Sequence, residues 1–142
     1  MLLDGIETDT SSWPIVIHRT LGVPNDDQVD AFIRLADELL ARGEPYVVIF
    51  DSSRAGRVSS YMRRRSSEWL TQNGATLARV CRGTALVFPS AALRFVMSTV
   101  LLVSPAPVPH KVCADLDEGL EWARAQLRRT NPRGRVHGSG GA

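Results

Sequence analysis

The sequence predicts an α/β fold, a single layered domain with a mostly parallel four- to five-stranded sheet and about four helices. Three observations carry that expectation. Residues 46–50 (YVVIF) form an unbroken β-branched and aromatic run after Gly43 and Pro45, the composition of a strand covered on both faces of a parallel sheet. Two later apolar runs, 82–88 (RGTALVF) and 110–114 (HKVCA), are each reached through a stretch of helical periodicity, and such alternation is the pattern of right-handed crossover units. Finally, 142 residues with 44% hydrophobic side chains suit one core and not two.

Taken in order, residues 1–12 read as an N-terminal segment or edge strand, because their alternation is poor and Asp9 to Ser12 has turn composition. Residues 13–21 (WPIVIHRTL) pattern better as a strand, with Pro14 near its start or at a sheet edge. Gly22 and Pro24 end it. Asn25 or Asp26 caps a helix whose Val29, Phe32, Ile33, Ala36, Leu39 and Leu40 recur at helical spacing, with Asp26, Asp27 and Asp30 at its positive end and Gly43 terminating it. After the strand ending at Asp51, Ser59 or Ser60 caps a second helix built on Met62, Trp69, Leu77 and Val80, which Asn73-Gly74 should weaken or kink.

Ser90 caps the third helix, and that helix is apolar nearly all round. Leu93, Val96, Met97 and Val100 are expected in the core; Phe95, Leu102, Val103 and Val108 are expected to be partly exposed as an apolar patch. Residues 104–109 (SPAPVP) form a stiff extended loop. Asp115 opens the last helix with Glu118 in capping-box spacing, and Leu116, Leu120, Ala123 and Leu127 face inward. The domain is thus placed at 13–129, and 130–142 (TNPRGRVHGSGGA), without apolar periodicity, is read as a disordered tail.

The formal charge is only +2, but it is distributed unevenly. Residues 1–51 hold ten acids against three arginines, whereas 52–114 hold eight arginines and Lys111 against Glu68 alone. A reversal of this kind favours an acidic protein partner or the chain's own copy, a homodimer. The N-terminus (MLLDGIETDT) is acidic and no run reaches the ~18 apolar residues of a membrane span. A cytoplasmic location is therefore expected, and membrane contact is not. Cys81 and Cys113 are too far apart for a local metal or redox motif and read as small buried hydrophobes.

Little in the sequence points to catalysis. His18, His110 and His137 are isolated, and there is no metal-ligand spacing, glycine-rich phosphate loop, nucleophile elbow or paired carboxylate. No catalytic residue, metal or cofactor is assigned, and the chain is not read as an enzyme. A response-regulator phosphoacceptor role for Asp51 fails because one helix alone separates it from Asp26-Asp27. Arg54, Arg57, Arg63, Arg64 and Arg65 lack interleaved aromatics or a recognised motif, so nucleic acid is not an expected partner.

Over residues 13–127 the chain resembles the STAS family, the domains of anti-sigma-factor antagonists and sulfate-transporter tails, and especially its uncharacterised bacterial STAS-like branch. The likeness rests on element order, on the strand ending in Asp51-Ser52-Ser53, which matches the family's Asp-x-Ser, and on the closing strand and helix HKVCADLDEGLEWARAQL. In the antagonists a phosphorylatable serine opens the following helix; counting nine residues on from Asp51 reaches Ser60, though Ser59 replaces the preceding Asp and Tyr61-Met62 replaces the small residue and Gly. The resemblance implies a non-catalytic protein-interaction or regulatory module, with phosphorylation at Ser59 or Ser60 as its switch. In that reading Asp51 and Ser53 fix the turn, and Arg57, Arg63 and Arg64 offer charge to the partner. The alternative is a binding protein for a small apolar or lipid-like ligand beside the third helix.

Overall fold

The computed structural model describes residues 4–130. Five strands form one sheet in the order β1-β2-β3-β4-β5, so each strand lies beside its predecessor in sequence. They are β1 (Gly5–Ser12), β2 (Ile15–Gly22), β3 (Tyr46–Ala55), β4 (Cys81–Val87) and β5 (His110–Cys113), with α1 (Asp26–Ala41), α2 (Ser60–Val80), α3 (Ala91–Val103) and α4 (Leu116–Thr130) in between and at the end. β1 and β2 are an antiparallel hairpin; every later pair is parallel. The weakly patterned N-terminal stretch is therefore an edge strand, and Pro14 sits in the hairpin turn just ahead of β2, where no ladder hydrogen bond is required of it.

Alternation along the strands divides the core in two. Val16 and Val48, with Tyr46 and Cys81, face α1 and α2 and pack on Leu39, Leu40, Leu77 and Val108. Ile15, Ile17, Val47, Ile49, Ala85 and Val87 face α4, where Ala123 is fully buried and Leu116, Leu120, Trp122 and Leu127 close the layer. Gly83 lets α4 come this close, since a Cβ there would stand 2.7 Å from the Trp122 ring. The inner strands are buried on both faces, which is why β3 reads as a continuous apolar run.

The helix ends follow the sequence with small shifts. Asn25 caps α1 in a reciprocal capping box with Gln28, and Gly43 leaves the helix at φ +68°, a left-handed conformation that favours glycine. In α4, Asp115 accepts from the Glu118 N–H while the Glu118 carboxylate reaches back to Ala114 N–H, one residue earlier than an ordinary box.

α2 continues through Asn73-Gly74 for 21 residues, and the Asn73 side chain donates to Trp69 O within the helix. Three expectations need correction. Val108 is buried, because the loop after α3 turns back under α2 and seats it beside Leu77 and Cys81. Leu93, Val96 and Val100 are exposed instead of core, since α3 meets the sheet mainly at its β5 edge, and Met97 is half-buried. Thr130 belongs to α4, so the tail expected at 130–142 does not begin there; residues 131–142 lie outside the described residues, as do 1–3.

Candidate functional site

Asp51 ends the buried part of β3 and shares the α4-facing side with Val47 and Ile49. Its Oδ1 accepts from the Ser53 N–H at 3.0 Å and from the Ser53 hydroxyl, and its Oδ2 lies 3.7 Å from Arg19 Nε on the neighbouring strand. The strand does not end at Asp51 as expected: β3 runs on to Ala55, and the Asp51 carboxylate bonds its own chain two residues on, a contact that aspartate favours, within the strand. The ladder between β2 and β3 slips here, from Arg19↔Asp51 to Leu21↔Arg54, and such a bulge re-aims the side chains beyond it. Glu7, Arg19 and Asp51 are register partners across three strands. With Ser53 and Arg54 they line a cleft of about 290 Å³ at the carboxyl end of β2 and β3.

The entrance to α2 is built on other contacts. Ser59, not Ser60, is the cap: its hydroxyl accepts from Met62 N–H at 3.1 Å. Ser60 is the first helical residue, exposed to solvent. One residue on, the Tyr61 hydroxyl donates to Asp30 Oδ1 at 2.6 Å, and Arg65 Nε donates to the same oxygen at 3.3 Å, pinning the first turn of α2 to α1. The Tyr61 hydrogen bond, with Arg65 adding to it, holds the Asp30 carboxyl below its ordinary range, and the same bond raises the Tyr61 phenol.

Of the three consecutive arginines only Arg65 turns inward, also reaching Glu68 at 3.9 Å. Arg63 and Arg64 are exposed, with the Arg64 guanidinium 5.2 Å from the Tyr61 ring centre, and Arg57 is exposed in the loop before the cap. The sequence-derived residues therefore fall into two groups. Asp51 and Ser53 sit with Arg19 on the α4 side of the sheet, whereas Ser59, Ser60, Arg63 and Arg64 belong to the helix that covers the opposite side.

The third helix forms a separate surface. Its cap is Ser90, which accepts from Leu93 N–H, and its one charged side chain, Arg94, is held by the carbonyls of Phe88 and Pro89. Along the rest, Phe95 is 75%, Val96 52%, Val100 48%, Leu102 83% and Val103 83% exposed. Of the patch residues named from the sequence, Phe95, Leu102 and Val103 are thus at the surface and Val108 is not.

A second, larger cleft of about 510 Å³ lies between β1 and α1, lined by Ile6, Thr8, Leu21, Phe32 and Leu35. Neither cleft reaches α3. His18 lies next to the larger one, buried edge-on against Phe32 and tilted on Phe50, with a 2.8 Å hydrogen bond joining its Nδ1 to Thr8 Oγ1. Burial depresses this imidazole to about 4. Burial likewise pushes the thiols of Cys81 and Cys113 up to about 11, the behaviour of inert packed cysteines.

Sequence reasoning missed Arg19, Asp30 and Tyr61. A strand arginine and two helix residues thirty-one positions apart carry no local motif; only the parallel register and the packing of α1 on α2 bring them to their partners. Among the described residues no group of three or more His, Cys, Asp or Glu side chains is placed to hold a metal ion, and no helix is long and apolar enough to cross a membrane.

No family model matches this chain, and no curated protein matches it. A solved structure does: the crystal structure of an uncharacterized protein of the DUF3478 family from Shewanella loihica, which has a SpoIIAA-like fold. It superposes with a TM-score of 0.67 at 15% sequence identity, over 87% of this chain and 97% of that one. The chain has a SpoIIAA-like fold, and the STAS-like architecture expected over residues 13–127 is the one it adopts.

Proposed function

We propose that this SpoIIAA-like domain is a non-catalytic interaction module that presents the entrance of α2 to an acidic protein partner. The observation that supports the reading is the arrangement there: Arg57, Arg63 and Arg64 exposed around a helix N-terminus that Tyr61, Asp30 and Arg65 hold rigid against α1. A docking surface gains from such rigidity, because little conformational freedom is lost on binding. Ser60 is the natural point of control. A phosphate on its exposed hydroxyl would add about two negative charges at the positive end of α2, beside Arg63 and Arg64, and would cancel most of the positive charge offered to an acidic partner.

The alternative, an apolar or lipid-like ligand held beside the third helix, has less to support it, because the two clefts described above lie elsewhere. The decisive experiment is native mass spectrometry of the protein purified from its own host, together with an Arg63→Glu/Arg64→Glu variant. The interaction reading expects a retained acidic protein that the double variant loses, and an added phosphate, where present, mapping to Ser60. Retention undiminished by the charge reversal, or a small apolar molecule carried in place of a protein, overturns it.

A further inference from the structure

We propose that α3 is the surface through which two copies of this chain associate, helix against helix about a two-fold axis. A 13-residue helix on the outside of a folded domain ordinarily buries one stripe of apolar residues. Here not one residue of α3 is fully buried; only Arg94, Met97 and Leu101 are half-covered, and they mark the side turned to the body of the domain. The apolar residues on the remaining arc face solvent.

Their spacing is informative. Leu93, Val96, Val100 and Val103 follow one another at three, four and three residues, the a/d rhythm that keeps a seam aligned with a facing helix. Phe95 and Leu102, seven apart, widen that seam along one side. Together these six side chains offer roughly 600 Å² of apolar surface, at the upper end of what a monomer leaves uncovered in one patch and approaching the ~800 Å² per partner of a standard interface.

Charge chooses among the occupants. Helices that lie on lipid surfaces carry Lys or Arg along their polar side, but the polar residues of α3 are Ser98 and Thr99, and its single guanidinium is spent on two carbonyls of the preceding turn. A two-fold contact sets the same patch of each copy against the other, so a charge close to the axis would meet its like. An uncharged apolar seam meets no such repulsion, and an antiparallel pairing also sets the two helix dipoles in opposition.

The test is the mass of the full chain in solution, by sedimentation velocity across a concentration series, for the wild type, Val100→Glu, and Leu70→Glu as a control on an exposed apolar residue of α2. The wild type and Leu70→Glu should run as dimers, and Val100→Glu should weaken association by about 100-fold, as expected for a charge forced into the centre of an interface. Val100 is half-exposed, so the variant should keep its near-UV circular dichroism; Leu102→Glu serves if it does not. A wild type of single-chain mass at the highest soluble concentration overturns the proposal, as does a dimer indifferent to Val100→Glu and Leu102→Glu. So does a single-chain wild type that instead sediments with phosphatidylcholine–phosphatidylserine vesicles, which would make the helix a lipid contact.

Discussion

His18 should make the domain lose stability between pH 7 and pH 5. Its ring is buried between Phe32 and Phe50, and burial depresses it from 6.5 to about 4. In that window the unfolded chain takes up a proton that the folded chain refuses, so stability is present at neutral pH, falls as pH drops below 6.5 and levels off below about 4. A difference of that size is worth about 3 kcal/mol in full, at ~1.4 kcal/mol per unit, and about 2 kcal/mol of it falls between pH 7 and pH 5. Asp9 and Asp30, whose carboxyls are lowered from 3.8, lose their contribution at lower pH and do not mimic the effect. Urea unfolding of wild type and His18→Gln at both pH values and one ionic strength isolates the term. The variant should be less stable throughout, since it abandons the ring packing, yet its pH 7 to pH 5 difference should be smaller by about 2 kcal/mol. Equal differences in the two proteins, or an imidazole that titrates near 6.5 by NMR in the folded state, would refute the reasoning.

The remaining predictions concern the two halves of the candidate surface. Ser59→Ala should cost about 1 kcal/mol in urea unfolding, because Met62 N–H loses its acceptor, whereas Ser60→Ala should stay within ~0.5 kcal/mol; the reverse ranking would move the cap. Asp51→Ala strips Ser53 of two hydrogen-bond contacts and leaves Arg19 without its carboxylate, for a loss of about 1–3 kcal/mol. Ser53→Ala in the same assay should cost less, as the Ser53 N–H bond survives.

The fold was legible because its signals are local. β3, β4 and β5 announce themselves as short apolar runs between helical periods, and Asn25, Ser90 and Asp115 do cap the helices they precede. What misled was the treatment of apolar residues as interior by default. Leu93, Val96 and Val100 have the spacing of a core stripe, but whether a stripe faces the sheet depends on where the connection sets the helix down, and α3 is set down at the β5 edge. Val108 erred in the other direction: flanked by prolines it looked like loop, yet it fills the space below α2. The candidate site was legible only in part. Asp51 and Ser53 are two residues apart and could be paired on sight, whereas Tyr61 and Asp30 meet through helix packing, and the division of the chosen residues between the two sides of the sheet follows from strand alternation, not from motif.

Because every strand lies beside the one made just before it, the sheet can grow at one edge as the chain leaves the ribosome, with no gap held open for a later arrival. The α4 side is the exception to this orderly accretion. Ile15, Ile17, Val47 and Ile49 are synthesised before α2 begins, whereas α4, the helix that shelters them, follows β5. Until α4 is made that side of the nascent sheet is bare, and a chain stopped before Leu116 would keep it so. α4 thus decides whether the apolar side of the sheet is covered or left sticky, which makes the interval before it the stage at which a chaperone would be needed.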